Sequence, residues 1–332
     1  MPVRRAVLLP IACAIITVAS ASSHAAGDSS SRDRPALQDR LDSKAPALRV
    51  DPSRFGAPQP DMPYGAYQRG LYLTALHLAL PRADAGDAAA ETLVAEIYAR
   101  GLGVPRDPEK AKDYYGKAAK QGIPEAEFRY ALILMGDKPS AEAPDEAFQL
   151  MKEAADAGHQ MAQFNYAQMV SARNPGSEGL LQAFVYYRKA ADSGLADAQY
   201  AMSQAYANGI GGMPKDEAEA RKWLLLAARQ GYDTAELDLG TWLVEGRGGQ
   251  QDVKAGFDWL KVAAEGGNVA AQNRVAKLYL NGIGTNADKI EAAAWYIRAR
   301  RAGLSDPDMD LFYSGLSPDD QKKAIERANR LR

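Results

Sequence analysis

The 332-residue sequence holds one cysteine, Cys13, and three histidines, His24, His77 and His159. A single thiol excludes an internal disulfide. Histidines this far apart cannot supply the three or four clustered ligands of a zinc site, so no metal site is expected. There is no basic stripe. Lys and Arg number 40 against 42 Asp and Glu, for a formal charge of −2, which argues against a nucleic acid as partner. Beyond residue 21 no apolar run reaches the roughly 20 residues that a spanning helix needs. The catalytic signatures Gly-x-Ser-x-Gly, Ser-x-x-Lys and His-Glu-x-x-His are also missing, so no catalytic residue is assigned, no enzyme is expected and no cofactor is implied.

What the sequence does have is a beat. Gly86, Gly122, Gly158, Gly194, Gly231, Gly267 and Gly303 follow one another at steps of 36 residues, with one step of 37. A constant period in this range marks an array of small helical units. Four residues after each of the first six glycines stands Ala90, Ala126, Ala162, Ala198, Ala235 or Ala271. Offsets 8 and 12 are apolar or aromatic throughout, as in Val94 and Tyr98 or Leu239 and Leu243. Offsets 4, 8 and 12 share one helical face, so each unit opens with an amphipathic helix, here helix A. A second helix, B, carries Tyr114, Leu150, Tyr186, Trp223, Trp259 or Trp295 eight residues before the closing glycine, and alanine pairs such as Ala154-Ala155 three and four before it. The glycine fits a left-handed helix end, which disfavours residues bearing a β-carbon.

Helix A, a Gly-x-Gly turn, and helix B ending in Ala-Ala-x-x-Gly resemble the Sel1-like repeat family. Ala198-Gln199…Tyr206-Ala207-Asn208-Gly209-Ile210-Gly211 and Trp223…Ala227-Ala228-Arg229-Gln230-Gly231 carry the likeness, which covers about residues 65 to 303. It implies an all-α fold, an α/α-solenoid related to tetratricopeptide repeats and wound as a right-handed superhelix. The units are 87–122, 123–158, 159–194, 195–231, 232–267 and 268–303, with a partial capping repeat at 61–86 and a capping segment at 304–332. Two units depart from the pattern: between Met135 and Asp145, and between Ser171 and Leu180, Gly-x-Gly gives way to segments expected to be irregular. Pro81 is expected to kink or shorten the first capping helix. Ser317-Pro318-Asp319-Asp320 reads as the start of the last one, with Ala324, Ile325, Ala328 and Leu331 facing one way.

Residues 1–25 read as an export signal: Arg4 and Arg5, an apolar Ala6 to Ala21, then Ser23-His24-Ala25 for cleavage. Cleavage near Ala25 would leave a periplasmic or secreted chain with no cysteine, no transmembrane segment and a formal charge of −4. A retained anchor and lipidation at Cys13 are the alternatives. Residues 26–60, rich in Ser, Asp, Arg and Pro, read as a mobile tether.

Arrays of this kind work through a long shared surface. On helix A, offsets 6, 10 and 13 point away from the core stripe, and the tetratricopeptide-like geometry implied by the resemblance makes that face a concave groove. Phe128, Phe164 and Tyr200 occupy offset 6 in three successive units, and Leu132, Gln168 and Gln204 occupy offset 10. Rings offer contact area and amides satisfy backbone groups, so these six are the candidate residues for holding a protein or peptide partner. The rings could equally pack against neighbouring helices. Glu91, Glu127 and Glu236 are widely separated and share offset 5 with Gln163, Gln199 and Gln272, which points to a structural hydrogen bond instead of acid–base chemistry. The expectation is an exported scaffold or adaptor. The resemblance adds regulation of an envelope protein or sensor kinase. The alternatives are an envelope enzyme or carrier acting on cell-wall peptides or glycans, and a passive spacer. Some cysteine-rich relatives are described as acting on β-lactams, but no nucleophile–base pair here carries that activity over.

Overall fold

In the structure, a computed structural model that describes residues 61–136 and 140–331, all seven closing glycines have positive φ, from 76° at Gly122 to 99° at Gly267. A β-carbon added at any of them would meet nothing within 4 Å. Backbone conformation alone therefore demands glycine there. The candidate export segment, the tether and Cys13 lie outside the described residues.

Sixteen α-helices form, and no strand, among the described residues. Helices α1 (Met62–Gln68) and α2 (Tyr72–Asp84) open the stack. Six A–B pairs follow: α3 (Ala88–Arg100) with α4 (Pro108–Ala119), α5 (Pro124–Met135) with α6 (Asp145–Asp156), and α7 (Gln160–Arg173) with α8 (Ser177–Asp192). Then come α9 (Ala196–Asn208) with α10 (Glu217–Ala228), α11 (Asp233–Glu245) with α12 (Val253–Glu265), and α13 (Val269–Asn281) with α14 (Lys289–Arg301). Helices α15 (Pro307–Ser314) and α16 (Pro318–Ala328) close it. From α1 to α14 each helix packs on its chain neighbours, and α16 folds back on α14, so the arrangement is an all-α solenoid.

The core follows the sequence columns. Ala90, Ala126, Ala162, Ala198, Ala235 and Ala271 are buried, as are both alanines of every pair from Ala118-Ala119 to Ala263-Ala264. Side chains this small let helices A and B approach closely, and Tyr186, Trp223 and Trp295 fill the space beside them. The second glycine of Gly-x-Gly shares the left-handed φ, 70° at Gly284 and 71° at Gly248, and adds a steric cause. A β-carbon on Gly284 would lie 2.1 Å from the Val253 carbonyl oxygen, and one on Gly248 would lie 2.3 Å from that of Glu217. The turn presses against the helix B of the preceding repeat, where only a hydrogen fits.

Three expectations are corrected. Pro81 does not shorten α2, which runs through it to Asp84; the proline lies on the exposed side, where water can take the carbonyl it leaves unpaired. The 171–180 segment is mostly helix, with α7 reaching Arg173 and α8 starting at Ser177. On α16, Ala324 and Ala328 are buried but Ile325 is 41% exposed. The other irregular segment contains a short 3-10 turn at Ser140–Glu142. The Ser317 cap forms as read, its hydroxyl accepting from the Asp320 N–H at 3.2 Å.

Candidate functional site

The offset-6 rings sit where one repeat meets the next. Phe128 on α5 is 4% exposed and stacks on His159, the residue after the next closing glycine, with centroids 4.6 Å apart. Half-buried Phe164 on α7 packs edge-on to Tyr187 of α8 at 5.5 Å. Half-buried Tyr200 on α9 lies against Tyr232 at 5.1 Å. For Phe128 and Tyr200 the ring rests on the first residue of the following unit and seals the joint between repeats, whereas Phe164 meets helix B of its own unit. Phe128 thus departs from the expectation of an open groove ring. The superhelical curve brings the next unit over it, leaving little of the ring to touch a partner.

Tyr200 also donates its hydroxyl to Asp238 Oδ2 at 3.0 Å. Burial raises the hydroxyl's pKa and also raises that of the Asp238 carboxyl. The offset-10 residues are more open. Gln168 and Gln204 are half-buried, and their side-chain amides make no hydrogen bond among the described residues. Leu132 lines a cavity of about 390 Å³ with Glu96, Arg100, Tyr115, Arg129 and Ile133. A second cavity of about 370 Å³ adjoins it, sharing Glu96 and Tyr115. The helix-A face thus holds Leu132, Phe164, Gln168, Tyr200 and Gln204 partly accessible, with Phe128 beneath.

Sequence reading did not foresee these cavities. Their one signal was charge on the groove face: Glu96 at offset 10 and Arg129 at offset 7. Nor did it foresee the role of His159. Its Nδ1 accepts from the Ala162 N–H at 3.1 Å, capping α7. That fixes the tautomer: Nε2 carries the proton and donates to Glu125 Oε2 at 2.8 Å. This bond, with Arg129 Nε at 2.7 Å on the other oxygen, holds the Glu125 carboxyl down at about 2. His77 is exposed on α2. Among the described residues no three His, Cys, Asp or Glu side chains gather to hold a metal, and no helix is long and apolar enough to cross a membrane.

The three glutamines of the offset-5 column make the structural bond foreseen; its glutamates do not. Gln163, Gln199 and Gln272, all buried, donate to the carbonyls of Ala155, Ala191 and Ala264 at 3.2 Å each. Each carbonyl also accepts from a closing-glycine N–H, so the glutamine ties helix A to the preceding turn.

The Sel1 repeat model matches residues 88–123, 124–159, 160–195, 196–232, 234–268 and 269–304, one or two residues later in phase than the glycine count. Among solved structures, the chain is similar to c5321, a protective antigen of uropathogenic Escherichia coli with an SLR fold. The TM-score is 0.68 at 25% identity, covering 81% of this chain and 59% of that one. It is also similar to a Sel1 repeat protein of Oxalobacter formigenes, with a TM-score of 0.60 at 29% identity over 76% and 74% of the two chains. Among curated proteins it is 32% identical over 105 residues to chitin synthase regulatory factor 3 of Schizosaccharomyces pombe, and 36% identical over 101 residues to chitin synthase regulator SKT5 of Malassezia restricta. These stretches cover 31% and 30% of this chain but only 11% and 7% of the relatives, so the chain matches about a tenth or less of their length. Sel1 repeats generally mediate protein–protein interaction. With six matched units running almost without a gap from 88 to 304 over this solenoid, the chain belongs to the Sel1 repeat family.

Proposed function

We propose that the chain is an exported, periplasmic adaptor that takes a segment of a partner protein along its helix-A face and catalyses nothing. The observation that carries the reading is the row of groups left partly open there: Leu132 at a cavity wall, half-buried Phe164 and Tyr200, and the unbonded amides of Gln168 and Gln204. Apolar area beside free amide groups suits an extended backbone, which brings both side chains and unpaired N–H and C=O groups. Export rests on Arg4, Arg5 and the apolar stretch that follows them. A regulatory role draws on the fungal relatives, which are named as chitin synthase regulators, and on the likeness to exported Sel1-like proteins; the controlled partner would be an envelope protein or sensor kinase.

Chemical crosslinking in the native envelope, read by mass spectrometry, tests this. Wild type is compared with Phe164→Ala/Gln168→Ala/Tyr200→Ala/Gln204→Ala. Phe128 is spared because its loss would open the core. The reading predicts that the variant, still folded by circular dichroism, loses its principal captured partner. An unchanged set of partners removes the helix-A face from the account.

A further inference from the structure

We propose that the trough across α1, α3, α4 and α5 is a two-compartment site for an extended protein segment that sets an apolar side chain beside an acidic one. This deepens the reading of the helix-A face as a binding face and rests on it.

The first compartment, of about 370 Å³, is walled by Pro63, Tyr64, Tyr67, Leu93 and Ile123. Tyr64 is 52% exposed, so its ring stands open at the rim. An aromatic and aliphatic wall of this size receives a leucine- or phenylalanine-sized side chain. The second compartment, of about 390 Å³, is walled by Arg100, Arg129, Leu132 and Ile133. Glu96 and Tyr115 line both, which places the two side by side. Alternate side chains of an extended chain fall on one face about 7 Å apart, so residues i and i+2 of one segment reach both compartments.

The hydrogen bonds decide the sign of the charge. Both oxygens of Glu96 and of Glu125 are engaged, whereas Asp61, at the first compartment with Arg82, uses only Oδ1, on Arg82 and the Tyr64 N–H. Glu96 Oε1 accepts from Arg100 Nη1 at 3.1 Å, and Glu96 Oε2 from the buried Tyr115 hydroxyl at 2.6 Å. Glu125 Oε1 accepts from Arg129 Nε and Oε2 from His159 Nε2. The guanidinium groups are not saturated. Arg129 uses Nε alone, leaving both Nη groups without a partner among the described residues. Arg100 uses Nη1 alone, on Glu96 and on the Tyr67 hydroxyl at 3.4 Å. Each guanidinium carries five N–H donors and no acceptor. A lysine entering the second compartment meets a Glu96 carboxylate already bonded on both oxygens, whereas a carboxylate meets open donors from two arginines in fork geometry. Their side chains are 42% and 60% exposed at Arg129 and Arg100, so a ligand can reach them.

The test follows the arginine side-chain N–H signals of the ¹⁵N-labelled chain by NMR. The probes are capped serine-based peptides bearing Leu and Glu two residues apart, in either order, and counterparts with Gln or Lys for Glu and Ala for Leu. The Leu/Glu peptide should bind at millimolar concentration and move the Arg100 and Arg129 signals. Gln for Glu should weaken binding about tenfold, Ala for Leu should also weaken it, and the Lys peptide should not bind. Arg129→Gln should reproduce the tenfold loss with an unchanged melting temperature, and Arg129→Lys, which keeps charge without the fork, should fall between. Equal binding of the Glu, Gln and Lys peptides, or silent arginine signals at several millimolar peptide, overturns the proposal. Peptides that move only the Gln168 and Gln204 amides would sink the trough and leave the helix-A reading standing. Binding in the trough, with the envelope crosslinks unchanged in the helix-A variant, would do the reverse.

Discussion

Replacing Glu127 by glutamine should stabilise the protein at neutral pH. In three repeats, a buried glutamine at this position donates to the second alanine carbonyl of the preceding helix B at 3.2 Å. Glu127 occupies the same register on α5, is 5% exposed and makes no hydrogen bond among the described residues. The matching carbonyl, that of Ala119, accepts only from the Gly122 N–H among the described residues. A carboxylate cannot donate to it, and two acceptors facing each other repel. Burial, with Glu153 nearby, raises the carboxyl above its ordinary 4.5. The folded state therefore holds this proton more tightly than the unfolded chain. Its contribution to stability is full below about 4.5 and is lost as pH rises through the folded value. Glutamine has no proton to lose and supplies the missing donor, which contributes about 1 kcal/mol. Urea unfolding of wild type and Glu127→Gln at pH 4 and pH 7.5 reads the effect. The variant should match wild type within a few tenths of a kcal/mol at pH 4 and exceed it by about 1 kcal/mol at pH 7.5. A gain that is equal at both values, or a loss at pH 7.5, refutes the reasoning.

Truncating the ring that seals the second joint, Phe128→Ala, should cost about 3 kcal/mol in urea unfolding, since a buried aromatic leaves a cavity. Phe164→Ala, at a more open ring, should cost clearly less. His159→Ala should destabilise by about 1 kcal/mol or more through loss of the α7 cap; His159→Asn should recover most of that, as Asn268 caps α13 in the same register. Gly267→Ala should cost about 1 kcal/mol, the strain of a left-handed residue with open space around it. Gly284→Ala should cost substantially more in the same thermal scan, because its β-carbon meets the Val253 carbonyl at 2.1 Å. Equal losses at the two glycines would contradict the distinction drawn between a conformational and a steric requirement.

The fold was legible because each repeat solves one packing problem in the same way. A buried alanine at offset 4 and a left-handed glycine at the close are local demands, and local demands recur with the period. The joint between repeats was less legible. Whether the ring of Phe128 faces a groove or the next helix depends on how far successive units rotate, and no single helix encodes that angle. Phe128 and Tyr200 meet offset-1 residues of the next unit, His159 and Tyr232, whereas half-buried Phe164 meets Tyr187 of its own. The trough was hidden for a related reason. Its walls come from several helices, and of its charged residues Glu96, Arg100 and Glu125 occur once in their columns while Arg129 recurs only as Arg274, too little for a periodic signal. His159 shows the limit of reading a turn position by its column. Ile123, Leu195 and Tyr232 make no side-chain cap there, while Asp87, His159 and Asn268 do.

Site-specific photocrosslinking tests the binding face most directly. The photoreactive residue p-benzoylphenylalanine is introduced in place of Gln168 or Gln204 on the helix-A face, and in place of Leu181 or Leu226, exposed on helices α8 and α10. Irradiation in the native envelope should give one discrete protein adduct from the first two positions and none from the second two. Adducts from Leu181 and Leu226 alone, or none from Gln168 and Gln204, would contradict it.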